Sequence, residues 1–143
     1  MTEKKLEVEI QVIIHATEDS QKIFDSLKQI FDVDEDDFAI QKLQGHYDNP
    51  IVLVNGKIKK KKAANAVKNL VSSIPKKEID EIVEDLENRC DSSGLYLRIS
   101  KQSLVEGKIE AAADDPIKLK IYTPVYSQKD IIRTYSGILT NTI

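Results

Sequence analysis

Five lysines occupy six consecutive positions near the middle of the chain, and their charge is the first candidate for chemistry. They are Lys57, Lys59, Lys60, Lys61 and Lys62. Lysine ammonium groups neutralise phosphates, and the counterions that this releases favour association with nucleic acids. The segment ends a predicted strand and begins a predicted helix, where cations oppose the helix dipole. An anionic partner would explain that placement, whereas the alternative is a solvated, highly charged surface.

A second candidate segment runs from Leu95 to Gln102. Tyr96 and Arg98 have the same parity in a predicted strand, so an aromatic ring and a guanidinium share one face and could meet a base and a phosphate together. Lys101 has the opposite parity if the strand continues through it, which places Lys101 in the following loop. The alternative is that Arg98 pairs with an acidic neighbour and that Tyr96 packs.

The two histidines, His15 and His46, lie at a strand end or in a loop. With nearby Glu18 and Asp48, they could bind a metal ion or perform acid–base chemistry. The sequence contains neither HxH nor HExxH spacing, so such a site would have to be assembled entirely by the fold. A hydrogen-bonded structural role, or a contact with nucleic acid, is therefore the favoured interpretation.

Composition limits the classes of protein that the chain can represent. Its 143 residues are 41 % hydrophobic and 31 % charged, which predicts a single globular domain over residues 1–143. The net charge of −3 argues against diffuse binding of nucleic acids but allows a local basic patch. Walker, GxGxxG and GxSxG motifs are absent from the sequence, as are the KH and RNA-recognition signatures. We therefore predict no enzymatic activity, no cofactor and no metal.

Cysteine usage and hydropathy bear on the compartment. Cys90 is the single cysteine, so it cannot form an internal disulfide, and we expect a small core residue that closes a helix. The N-terminal segment does not resemble a signal peptide, and no run approaches the ~18 apolar residues of a membrane span. These features predict a cytoplasmic protein without a membrane partner.

The positions of apolar residues predict about six strands and about four helices. Alternating apolar residues predict strands over 6–14, 38–44, 51–58, 95–101, 108–113 and 117–122. Asn55 and Gly56 interrupt the third of these as a bulge or a tight turn. Helical spacing predicts helices over 18–31 and 60–74, a third after Pro75 and a C-terminal fourth. Their mixed order predicts an α+β fold with a largely antiparallel sheet that helices cover.

Four segments in this order resemble the small archaeal family of predicted exosome subunits, also described as predicted RNA-binding proteins. They are His15-Ala16-Thr17-Glu18-Asp19, Gly45-His46-Tyr47-Asp48-Asn49-Pro50-Ile51, Leu95-Tyr96-Leu97-Arg98-Ile99-Ser100-Lys101-Gln102 and Asp115-Pro116-Ile117-Lys118-Leu119-Lys120-Ile121. The resemblance covers roughly residues 6–140. It implies a fold similar to that of the fifth large-subunit ribosomal protein, and an archaeal, cytoplasmic source.

The resemblance also implies which side chains contact RNA. The matched positions are His15, His46, Tyr47, Asn49, Arg98, Lys101 and Gln102. His46 and Tyr47 could stack on unpaired bases, Asn49 could supply hydrogen bonds, and Arg98 and Lys101 could hold phosphates. The competing interpretation is that Asn49 shapes a turn before Pro50 and that Tyr47 packs against the sheet.

Three functions follow from these observations. The first is a non-catalytic RNA-binding protein, an accessory subunit of an RNA-processing, exosome-like complex. The second is a protein-interaction adaptor that docks on such a complex and touches RNA little. The third is a cryptic metal-dependent hydrolase that uses the histidines and carboxylates. The sequence does not specify the RNA, the protein partners or the oligomeric state.

Overall fold

The computed structural model describes residues 5–44 and 49–140 of the chain. Their strands form one antiparallel sheet in the order β2-β3-β1-β6-β5-β4. The strands are β1 (Glu7–His15), β2 (Phe38–Gln44), β3 (Pro50–Lys59), β4 (Cys90–Asp91), β5 (Gly94–Ile99) and β6 (Ile117–Tyr122). The helices are α1 (Ser20–Phe31), α2 (Lys60–Ser73), α3 (Lys76–Glu84), α4 (Lys101–Val105) and α5 (Lys129–Thr140). The predicted α+β class is confirmed.

The core lies between one face of the sheet and the helices. Alternate residues of the central strands are buried there, because successive side chains of a strand point to opposite faces. Each fully buried aliphatic side chain stabilises the fold by about 1.5–3 kcal/mol. The buried strand residues include Val8, Ile10, Val12, Ile14, Leu95, Leu97, Ile99, Ile117, Leu119 and Ile121. They meet the apolar stripes of the helices, such as Ile23, Leu27 and Phe31 of α1 and Ala63, Ala66, Val67 and Leu70 of α2.

The opposite face of the sheet, called the open face below, carries side chains that are exposed or half-buried. Strand register brings these residues into rows that cross the sheet. One row joins Asn55, Gln11, Lys118 and Arg98, and the next joins Lys57, Glu9, Lys120 and Tyr96. The open face also includes Glu7, Ile13 and His15 of β1, Ile51, Leu53 and Lys59 of β3, Tyr122 of β6, and Ala39, Gln41 and Leu43 of β2.

Two predicted strands are wrong in part. Segment 108–113 contributes an isolated bridge between Ala111 and Ile99, because it is a short connection after α4. The strand predicted over 95–101 ends at Ile99, where the Ser100 hydroxyl accepts a hydrogen bond from the backbone N–H of Ser103 at 3.1 Å and caps α4. The sixth strand is instead β4, whose two residues are too few to show a period. Cys90 lies half-buried in β4 rather than closing a helix.

Gly56 does not interrupt β3, so the predicted bulge or turn at Asn55-Gly56 is wrong. The strand is continuous from Pro50 to Lys59, and Gly56 pairs with Phe38 on one side and with Ile10 on the other. A Cβ atom at Gly56 would lie 2.5 Å from a ring carbon of Phe38. The glycine is therefore required by the aromatic ring that covers it.

Strand β2 forms one edge of the sheet. Its residues 39–44, with Lys42 among them, are exposed on both faces of the strand. The edge therefore projects beyond the helix layer. Among the described residues, no helix has the length and apolar character that crossing a membrane requires.

Candidate nucleic-acid interface

The lysine run does not form one surface, which corrects its interpretation as a single patch. Lys57 and Lys59 point to the open face from β3. Lys60 has a φ of 58° and turns the chain into α2, while its backbone N–H donates to the carbonyl of Leu6. Lys61 and Lys62 then lie on α2, which packs on the covered face of the sheet. Side chains alternate between the two faces of a strand but rotate around a helix with 3.6 residues per turn, so adjacent lysines of the run point in different directions.

Lys62 is engaged inside the protein. Its ammonium donates a hydrogen bond to a carboxylate oxygen of Asp37. Partial burial alone would raise the pKa of Asp37, but the hydrogen bond and the charge of Lys62 outweigh it and lower this pKa. The same hydrogen bond raises the pKa of Lys62. Lys62 therefore ties α2 to the 3₁₀ turn that precedes β2.

Five cations gather in one half of the open face, called the cationic half below. Arg98 of β5 lies directly opposite Lys118 of β6 in the strand register. The same register confirms that Tyr96 and Arg98 share one face, as predicted. Two carboxylates, Glu7 and Glu9, lie among the cations, 3.9 Å from Lys59 and 4.0 Å from Lys120. Positive charge exceeds negative charge here, although the whole chain is acidic. The cationic half consists of Lys57, Lys59, Arg98, Lys118 and Lys120, with Tyr96 and Tyr122.

Sequence reasoning missed Lys118, Lys120 and Tyr122 as candidate contacts. Their signal was present, because they alternate with the buried residues Ile117, Leu119 and Ile121. A polar set with that period lies on the face opposite the core. The sequence does not show that β6 lies beside β5, and so it does not show that these lysines adjoin Arg98.

The other half of the open face is more apolar. Ile13 is 38 % exposed and Leu43 is 37 % exposed, and half-buried Ile51 and Leu53 lie between them. Asn49 is exposed immediately before β3. His46 and Tyr47, two of the predicted RNA contacts, lie outside the described residues. We call this region the apolar half.

Lys101 is buried and is held by three oxygen atoms. Its side chain is 8 % exposed, and its ammonium lies 2.8 Å from the carbonyl of Ile13, 2.9 Å from Glu18 Oε1 and 2.7 Å from Asp115 Oδ2. Two carboxylates thus neutralise the cation that the sequence suggested for phosphate binding. Its neighbour Gln102 is exposed on α4 and donates to Glu106.

His15 joins the same network at the end of β1. Its Nε2 lies 2.9 Å from Asp115 Oδ2, and its backbone N–H donates to Glu18 Oε1 at 2.8 Å. Partial burial alone would raise the pKa of Asp115, but the hydrogen bonds and charges of Lys101 and His15 outweigh it and lower this pKa. Glu18 and Asp115 were missed as partners because the sequence does not place them beside Lys101.

Ligand atoms of His15, Glu18 and Asp115 lie within 4.8 Å of one another, close enough to hold a metal ion. The ammonium of Lys101 already lies between the two carboxylates. A divalent cation would have to displace that ammonium and leave it buried without its partners, at considerable cost. The donor set therefore fits an internal ion-pair network better than a metal centre.

Comparison with known proteins places the chain among archaeal relatives. A family model described as RNA binding matches residues 7–123. The RNA-binding protein PAB1135 of Pyrococcus abyssi is 26 % identical over 129 residues, covering 85 % of this chain and 84 % of that protein. The uncharacterized protein MJ0213 of Methanocaldococcus jannaschii is 27 % identical over 135 residues, covering 87 % of this chain and 91 % of that protein.

A solved structure shares the fold. The crystal structure of protein SSO0741 from Sulfolobus solfataricus superposes with a TM-score of 0.75 at 27 % identity, covering 96 % of this chain and 99 % of that one. The likeness extends over nearly the whole chain, so the sheet and the helices that cover it are common to both proteins.

Proposed function

The chain belongs to the RNA-binding family, and we propose from that premise that it binds RNA on the cationic half of its open face without catalysing a reaction. One observation carries the proposal. Lys57, Lys59, Arg98, Lys118 and Lys120 come from three strands and lie on the same face of the sheet. A surface of this kind can meet several phosphates at once, and each contact releases counterions.

The distribution of charge supports this face over the lysine run. Lys62 and Lys101 are engaged by carboxylates inside the protein, whereas Lys57, Lys118 and Arg98 are exposed. An acidic protein that concentrates cations on one surface attracts a polyanion there and repels it elsewhere. The remaining candidates from the sequence, which are His15, His46, Tyr47, Asn49, Lys60, Lys61, Lys62, Lys101 and Gln102, stay predictions, as does the cytoplasmic location.

Charge reversal tests the proposal. The double variant K118E/K120E should weaken RNA binding by at least ten-fold at 50 mM salt, and it should reduce the slope of log affinity against log salt. The matched control K22E/K68E makes the same change in net charge at exposed positions of α1 and α2, on the covered side of the sheet. Its binding should change much less. Equal losses of RNA affinity in the two variants, measured by fluorescence anisotropy, would reject the cationic half as the binding surface.

The apolar half supports a further element of the proposal, attachment to an RNA-processing complex of the exosome type as an accessory subunit. Exposed Ile13 and Leu43 adjoin the cationic half on the same face, and exposed apolar surface is typical of protein contacts. Purified exosome should retain the protein after nuclease treatment, and the variant I13S/L43S should be released. If the complex retains the protein only while RNA is intact, attachment by protein contact is wrong.

A further inference from the structure

We infer that the RNA bound on the open face is single-stranded and that its bases stack on a line of tyrosines, an inference that rests on the proposed function. The relevant side chains are Tyr96, Tyr122 and Tyr126. They lie among the cations of the cationic half or beside its end, so that aromatic rings and phosphate-binding groups occur together.

Tyr96 and Tyr122 are diagonal neighbours on adjacent strands. Tyr96 lies directly opposite Lys120, and Tyr122 is two residues further along β6 on the same face. Diagonal neighbours in an antiparallel sheet are within reach of one another when the side chains are aromatic. Tyr96 is 43 % exposed, so its ring is available to a ligand.

Tyr126 lies beyond the end of β6. It follows Tyr122 by four residues, and its hydroxyl lies 3.5 Å from the ammonium of Lys5, which precedes β1 by two residues. Because Glu7 of β1 pairs with Tyr122, both segments lie at the same end of the sheet. Tyr126 is 87 % exposed. The ammonium of Lys5 lies 5.9 Å from the centroid of its ring, so the ring is available to a ligand beside a cation.

The geometry favours unpaired bases. In a duplex, base faces are covered by stacking, and a flat sheet meets phosphates and sugars alone. The five cations would then suffice, and exposed aromatic rings would add nothing. An unpaired strand can lay its bases on the rings while Lys118, Lys120 and Arg98 hold its phosphates, and such stacking tolerates any sequence.

Two RNAs and two variants test the inference. We expect a 12-nucleotide unstructured RNA to bind at least ten-fold more tightly than a blunt duplex of the same length. The variant Y96L/Y126L, which keeps apolar bulk but loses both rings, should lose roughly ten-fold or more in affinity for the single strand and little for the duplex. The matched control Y96F/Y126F keeps the rings and should retain binding.

The chain has no tryptophan, so its own fluorescence reports on tyrosines. The single strand should quench this emission, and it should quench the Y96L/Y126L variant less. If the duplex binds as tightly and the leucine variant behaves like wild type, the inference fails, but the proposed function stands provided that K118E/K120E still weakens binding. If neither RNA binds, the proposed function fails as well.

Discussion

The ammonium of Lys101 lies 2.7 Å from Oδ2 of Asp115, and the same oxygen lies 2.9 Å from Nε2 of His15. One carboxylate thus connects the first residue of α4 to the last residue of β1. Glu18 accepts hydrogen bonds from Lys101 and from the backbone N–H of His15. The network fixes how the segment before β6 packs against the end of β1, and it explains why a lysine can be buried.

Replacing Lys101 should destabilise the protein. The variant K101M removes the hydrogen bonds of the ammonium to the carbonyl of Ile13 and to two carboxylates, which keep only their contacts with His15. We expect a loss of about 2–3 kcal/mol, less than the ~3–5 kcal/mol for a fully buried pair because Asp115 stays partly in water. Urea unfolding measures this loss. The control K22M removes an exposed lysine of α1 that lines the same surface cavity as Lys101, and it should cost under about 0.5 kcal/mol. Equal stability of the two variants would show that the network is energetically neutral.

Asp115 should make stability depend on pH. Its pKa in the folded protein is below the ordinary value of 3.8, so its ionised form stabilises the fold above pH 3.8 and this contribution disappears as the pH falls through the folded pKa. The variant D115N should therefore lose about 1 kcal/mol at pH 7, and its deficit should be smaller at pH 3, below the ordinary pKa. Urea midpoints at both pH values provide the measurement. The variant D114N changes the exposed neighbour, and its urea midpoints should match those of wild type at both pH values. A D115N deficit that persists unchanged at pH 3 would contradict the assignment.

Gly56 should resist even a small side chain. The variant G56A places a methyl group against the ring of Phe38 and near the carbonyl oxygen of Asp37, at 3.2 Å. We expect destabilisation by about 1–3 kcal/mol, since relief requires displacement of the ring or the strand. Thermal unfolding of G56A and of N55A, its exposed neighbour on β3, gives the comparison. If both variants unfold at the same temperature as wild type, the ring of Phe38 moves aside without loss of stability.

Removing carboxylates from the cationic half should strengthen RNA binding. Glu7 and Glu9 each lie near a lysine of that surface and repel phosphates. The variant E7Q/E9Q should bind RNA roughly two- to five-fold more tightly at low salt, and the gain should shrink as salt is added. The pair E84Q/E87Q changes the same charge at exposed positions in and after α3. An equal gain from both pairs would mean that net charge alone matters.

Much of the sheet could be predicted from local patterns. The alternation around Tyr96 and Arg98, and that around Lys118 and Lys120, gives the correct face of each strand because a half-buried strand repeats every two residues. Which strands adjoin depends on long connections that local patterns do not specify. For this reason Tyr96 and Arg98 were predicted to share a face, whereas their neighbours on β6 were not identified.

The fate of individual lysines was beyond sequence reasoning. Lys101 is neutralised by Glu18 and Asp115, which are 83 and 14 residues away along the chain. The run at 59–62 is divided where the predicted strand passes into the predicted helix. The chain turns there at Lys60, whose positive φ the sequence does not indicate, because glycine or asparagine usually occupies such a position. Contacts between distant segments, and a turn made by an unusual residue, therefore decide which charges remain available.

The exposed edge of β2 has a consequence for how copies of the protein meet at high concentration. A second strand that hydrogen-bonded to this edge would approach along Lys42. Its ammonium would be crowded by the incoming backbone and would lose part of its hydration. Charged residues in edge strands discourage such strand addition. A sheet that offers one face to a polyanion thus has a lysine at its border that opposes open-ended assembly into fibres.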